Sequence, residues 1–157
     1  MQSQARTQIL STSSPTHRFR FYLDDASDTG LWYDDRFIIL RWHGGPPEAK
    51  LLASITQVGK GIEAHFASNK AGLRYVSQML KEGIDFIFDT FPWCQCIYAP
   101  VHLKSVERIV ERLGYQFLVR TQADDGTALK VYIYRRGKWH GKEQEQQGSQ
   151  ESREVSV

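Results

Sequence analysis

At 157 residues the chain has the length of one domain with one proper core, and 41% hydrophobic, 12% aromatic and 24% charged residues make an ordinary globular composition. A net charge of +2 is too small to single out nucleic acid, and no apolar run approaches the roughly 18–20 residues of a membrane helix. The N-terminus lacks the apolar core of a secretion signal, so the expected location is a cytoplasm, or an assembly built in one.

Residues 1–16 are rich in Ser, Thr and Gln and broken by Pro15, which reads as a polar arm. Residues 17–24 alternate as a strand, with Phe19, Phe21 and Leu23 on one face. An acidic, turn-rich stretch follows at 25–35, with room for at most a short helix at Leu31-Trp32-Tyr33. Residues 37–42 are apolar enough for a strand buried on both faces, and Gly44-Gly45-Pro46-Pro47 must then turn the chain. Residues 51–58 and 62–67 read as strands joined at Gly59-Lys60-Gly61.

From residue 69 to 91 the period changes. Leu73, Val76, Leu80, Ile84, Ile87 and Phe91 recur at steps of three and four, the spacing of a long amphipathic helix that Pro92 stops. Residues 95–101 read as a short strand. Residues 104–113 read as a second helix with Val106, Ile109, Val110 and Leu113 inward and Gly114 as its C-cap. Residues 115–122 and 128–135 are strands joined by Asp124-Asp125-Gly126-Thr127. Beyond Trp139 the composition collapses to a polar tail that cannot bury enough surface to offset its ordering entropy. The expected division is therefore an arm at 1–16, a domain at 17–140 and an acidic tail at 141–157.

Two features invite a chemical reading and get a plain one. Cys94 and Cys96, the only cysteines, are expected as reduced thiols on one face of a strand, with no second pair to complete a metal site. The tail has a net charge of −2, leaving 18 basic and 14 acidic residues elsewhere. Arg135, Arg136, Lys138 and His140 form a small basic cluster, read as a solvated strand end rather than a polyanion site.

The order strand, strand, strand, helix, strand, helix, strand, strand, together with the helix Arg108-Ile109-Val110-Glu111-Arg112-Leu113-Gly114-Tyr115, resembles the GNAT superfamily of acyl-CoA-dependent N-acyltransferases. Phe86-Ile87-Phe88 near the end of the long helix is similar to that family too. The resemblance implies an α/β (α+β) fold: a central mixed, mostly antiparallel sheet of about six to seven strands, a long helix after strand 4 and a second after strand 5. It also implies that acetyl-CoA lies between the fourth and fifth strands, its pyrophosphate held by the loop Ser68, Asn69, Lys70, Ala71, Gly72 and Arg74. A strand residue would act as general base, for which Glu63 and His65 are the candidates, with Tyr98 the candidate acid.

Position by position, this chain departs from the family pattern. One loop glycine remains, at Gly72, and Arg74 stands where a small residue is usual. Leu103, Val106 and Val110 fall where the second helix often carries Asn, Ser and the acid Tyr. The two helices that usually wall the acceptor amine are reduced to residues 25–35. Two readings follow. One is a structural or assembly component with a degenerate acetyl-CoA site, similar to small GNAT-like proteins of tailed phages. It would be cytoplasmic or virion-associated in a host cytoplasm, with protein partners or self-assembly through the arm and tail. The other is an active acetyl-CoA-dependent N-acetyltransferase.

Overall fold

The computed structural model describes residues 19–32 and 36–139, so the arm, the tail, Tyr33 and His140 lie outside the described residues. The strands are β1 (Phe21–Leu23), β2 (Ile38–Trp42), β3 (Leu51–Val58), β4 (Gly61–Ser68), β5 (Cys96–Val101), β6 (Gln116–Gln122) and β7 (Ala128–Arg135). Helix α1 (Val76–Thr90) joins β4 to β5, and α2 (Lys104–Leu113) joins β5 to β6. The strands form one seven-stranded sheet in the order β1-β2-β3-β4-β5-β7-β6. Every neighbouring pair is antiparallel except β4 with β5, whose parallel pairing requires the crossover that α1 provides. This is the mixed, mostly antiparallel sheet expected, with both helices in their expected places.

One sheet face carries the main core. Cross-strand register puts Phe21 beside Trp42, Trp42 beside Leu51, Ile55 beside Ala64, and Ile62 beside Ile97, which pairs with Tyr134. Helix α1 packs on this face through buried Val76, Met79, Ile84, Ile87 and Phe88. Ile109 and Leu113 of α2 join the same cluster. Each fully buried large side chain contributes about 1.5–3 kcal/mol, so this face accounts for most of the burial. Polar ties fix α1 to the strands: Trp42 Nε1 donates to Glu82 at 2.7 Å, Arg20 pairs with Glu82, and Trp139 Nε1 donates to Asp85 at 2.8 Å.

The opposite face is covered over β2 and β3 by a short connection. Ala26 is buried there against Ile39 and Leu52, with Leu31 and Phe37 alongside. The chain makes a turn at residues 27–29, and Leu31 and Trp32 are not helical. Arg41 holds the connection down through Asp24, at 3.1 Å, and Asp28. Residue 38 departs from the double burial expected of β2, since Ile38 is 49% exposed while Ile39, Leu40 and Trp42 are buried.

Three further details differ from the sequence expectation. The long helix begins as a 3-10 helix, Lys70–Tyr75, before turning α-helical at Val76. At three residues per turn the apolar stripe loses phase. Leu73 therefore turns outward, 61% exposed, and Met79 takes the deep position instead. Cys94 precedes β5 and is buried in the core, where burial raises its thiol pKa, while Cys96 lies half-buried against Gly61; the two do not share a strand face. Two members of the basic cluster, Arg136 and Lys138, serve as caps. Arg136 donates to the carbonyls of Phe88 and Phe91, both at 2.9 Å, and of Cys94 at 2.6 Å, closing the C-terminus of α1. Lys138 Nζ donates to the Gly114 carbonyl at 2.8 Å, just past α2. Gly114 itself, at φ 104°, adopts the left-handed C-cap that its sequence position predicts.

Candidate active site

Strands β4 and β5 pair over only three positions, Gly61 with Cys96, Ile62 with Ile97 and Glu63 with Tyr98. Beyond Glu63, β4 stays with β3 through Ser68, while Ala99, Pro100 and Val101 stay with β7. The two strands therefore part. Pro100, which has no N–H to give to a ladder, sits in β5 where pairing with β4 has already ended. Gly61 allows the closed end to be tight, because a Cβ there would meet Cys96 Sγ and Tyr98 Cε2, each at 2.8 Å.

The gap opens into a cavity of about 280 Å³. Ala64, Phe66 and Ser68 of β4, Ala99 and Val101 of β5, and Leu80 of α1 line it, with Val106 and Val110 of α2 on the far wall. Exposed Leu73 and Leu103 also line it, so it reaches the surface between the 3-10 helix and the N-cap of α2. Its lining is mostly apolar. The polar residues in its lining are His65, Ser68, His102 and Tyr115 among the described residues. Burial drives the Tyr115 hydroxyl well above the ordinary phenol range.

The six loop candidates divide into two groups. Ser68, Asn69 and Gly72 are occupied structurally. Asn69 Oδ1 accepts from the N–H groups of Gly72, at 2.9 Å, and Lys50, at 3.0 Å, and its Nδ2 donates to Glu48 O at 2.8 Å. Ser68 Oγ donates to Asn69 O at 2.8 Å. Gly72 is buried, and a Cβ on it would lie 2.5 Å from Ser68 Oγ and 3.0 Å from Leu51, so close approach of the helix to β3 requires the glycine. Lys70, Ala71 and Arg74 form the second group. All three are exposed, and Arg74 lies over the Tyr75 ring at 5.5 Å. Their setting is electrostatically telling. No acidic residue occupies the first turn of the 3-10 helix or of α1, and two cations sit at the positive end of the helix dipole, where they oppose helix stability and favour an anion.

The catalytic candidates cluster where the strands part. Glu63 and His65 point to the same side of β4, and His65 Nε2 lies 2.9 Å from a Glu63 carboxylate oxygen. Both are about one-third exposed, and the Phe37 ring packs against the imidazole at 5.2 Å. Tyr98 pairs with Glu63 in the register but does not line the cavity. Its hydroxyl, engaged with the Cys96 thiol, is held above the ordinary phenol range. Val106 and Val110 do line the cavity, which leaves the second helix without a hydroxyl to offer there. Sequence reasoning missed Tyr115 and His102 as cavity residues. The sequence places Tyr115 at the start of a strand, which does not by itself say that it lines a cavity; in the structure it precedes β6 (Gln116–Gln122) and lines the cavity.

Solved structures share this architecture. A spermidine N-acetyltransferase from Vibrio cholerae superposes with a TM-score of 0.54 at 12% identity, over 68% of this chain and 69% of that one. An aminoglycoside acetyltransferase in complex with coenzyme A gives 0.53 at 11%, over 64% and 67%. A ribosomal-protein-S5-alanine acetyltransferase from Vibrio fischeri gives 0.54 at 9%, over 67% and 64%. The chain has the GNAT fold. The parted β4–β5 seam is thus part of a GNAT-type sheet, reached at identities that carry the fold alone. No protein-family model matches the sequence, and no curated protein matches it at the level of sequence.

Proposed function

We propose that the protein binds an acyl-CoA thioester in the gap between β4 and β5 and transfers the acyl group to an amine. The observation that carries this reading is the gap itself. Pairing stops after three residues, and the space beyond is an apolar cavity lined in part by Leu73, which lies between the exposed Lys70 and Arg74 in the 3-10 helix. An apolar channel suits a pantetheine arm, and Lys70 and Arg74 suit the phosphates outside it. One neighbour of the same fold was solved with coenzyme A, which supports the ligand class.

In transfer, the amine nitrogen bonds to the thioester carbonyl carbon, the carbon–sulfur bond breaks, and the thiolate leaves. The Glu63–His65 pair is placed to take the amine proton, at the point where the strands diverge. At Val110 no hydroxyl is available to protonate the thiolate. Loss of one positioned acid typically slows such a step by about 10²–10⁴, so slow turnover is expected.

Calorimetric titration with acetyl-CoA, paired with thermal shift, tests the reading. Micromolar binding that raises the melting temperature is the expected result, worth about 2.7 kcal/mol of added stability at a hundredfold excess over Kd. Absence of binding at millimolar coenzyme would end it.

A specific observation favours a second reading, a structural or assembly component such as a phage virion protein. Edge strand β6 leaves Phe117, Leu118 and Val119 between 43% and 51% exposed beside an open ladder. Exposed apolar edges are templates for pairing with another chain. Under this reading Val119→Lys lowers the oligomeric state measured by sedimentation, whereas a monomeric wild type removes its support.

A further inference from the structure

The cavity does not end at the gap. It continues beneath β3, β2 and β1 along helix α1, where Phe21, Leu40, Ala53, Ile55, Gly83 and Phe86 form a second lobe. Nothing polar lines that lobe among the described residues, and Phe21, Leu40, Ile55 and Phe86 are each no more than 5% exposed. Two small residues leave the space open. Ala53 stands in the β3 layer between the larger Leu51 and Ile55, on the face that α1 covers. Gly83 lies inside α1, where glycine is unfavourable relative to alanine, and a Cβ there would meet only Phe21 Cζ, at 3.7 Å. The helix therefore carries an unfavourable residue at a position where ordinary packing does not demand one, and its effect is to widen the lobe.

We propose that this lobe is an acyl-chain pocket, and that the preferred donor carries a medium-length saturated acyl group rather than acetyl. The inference rests on the acyl-CoA reading above, since the chain reaches the lobe from a thioester held in the gap. An acetyl group is too small to use the lobe and leaves it empty, with the contacts of its walls unmade. A longer chain gains from each methylene that leaves water. The lobe offers no partner to a carboxylate or hydroxyl at the chain's far end, so an unbranched, unsubstituted chain fits and an ω-carboxylated one does not.

The test compares acetyl-CoA, octanoyl-CoA and the ω-carboxylated suberyl-CoA by calorimetry on the full chain and on two variants. The expected result is octanoyl-CoA binding about tenfold or more tighter than acetyl-CoA, the equivalent of two buried methylenes, with suberyl-CoA losing that gain. Gly83→Ala, which keeps the fold because its Cβ makes only ordinary contact, is expected to cut the octanoyl advantage and leave acetyl-CoA affinity unchanged. Ala53→Leu is expected to remove the advantage entirely, and its circular dichroism and melting curve separate pocket filling from unfolding. Equal affinity for acetyl- and octanoyl-CoA, or an octanoyl advantage untouched by both variants, would overturn the acyl-chain pocket while leaving the acyl-CoA reading intact. If no thioester binds at all, both fall together.

Discussion

Cations stand near both ends of helix α1, and the two ends use them differently. At the C-terminus, Arg136 reaches back to three main-chain carbonyls and stacks over the Phe88 ring at 4.8 Å. There the charge complements the negative end of the helix dipole. At the N-terminal approach, Lys70 and Arg74 are exposed at the positive end, with no acidic residue in the first turn to offset them. The same residue types thus read as a cap in one place and as an unanswered field in the other. Position along the dipole, and not the local density of basic residues, separates a structural cation from a candidate ligand partner.

Substitutions at the two ends are expected to differ in kind. The largest effect is expected at Arg136, where alanine takes the guanidinium donor from the Phe88 and Cys94 carbonyls and leaves the Phe91 carbonyl with only the Cys94 N–H. A loss of about 3 kcal/mol in chemical denaturation is expected, with lysine restoring under half because it lacks the planar fork. Gly72→Ala comes next, at about 1–3 kcal/mol, since its Cβ would collide with Ser68 Oγ and press on Leu51. Lys138→Ala removes a single hydrogen bond at the end of α2 and is expected to cost less than about 1 kcal/mol. Smallest in stability are Lys70→Ala and Arg74→Ala, within about 0.5 kcal/mol of wild type. Those two variants should instead weaken acetyl-CoA binding in calorimetry, more so at low salt than at high. If Lys70→Ala and Arg74→Ala destabilised the fold as Arg136→Ala does, the contrast between the two ends would be lost.

Much of the architecture was legible in the sequence because it follows from period and punctuation. Leu51–Val58, Lys104–Leu113 and Ala128–Arg135 match the sequence reading residue for residue, each bounded by Gly, Pro or a charged turn. What failed was phase and partnership. Leu73 fits a 3.6-residue stripe, yet the 3-10 start turns it outward, and no residue type in 70–75 announces that tighter winding. Arg136 looked like a solvated charge because its partners lie 42 to 48 residues away. At the site, the family resemblance pointed to the loop at 68–74 and to a parting of β4 from β5; the structure has the parting, and Val106 and Val110 line the cavity beyond it. The resemblance did not reveal that Asn69 already holds the Gly72 N–H, since a cap and a phosphate cradle use the same residue types. Nor did it show the lobe under β1–β3, which depends on Ala53 and Gly83 both being small.

Amide hydrogen exchange with saturating acetyl-CoA reports where on the sheet an acyl-CoA thioester sits, and so whether it occupies the gap between β4 and β5. Protection is expected at residues 64–75 and 99–110, the two sides of the gap and its mouth, with β6 unchanged. Exchange unaltered throughout, or protection confined to β6, would contradict it.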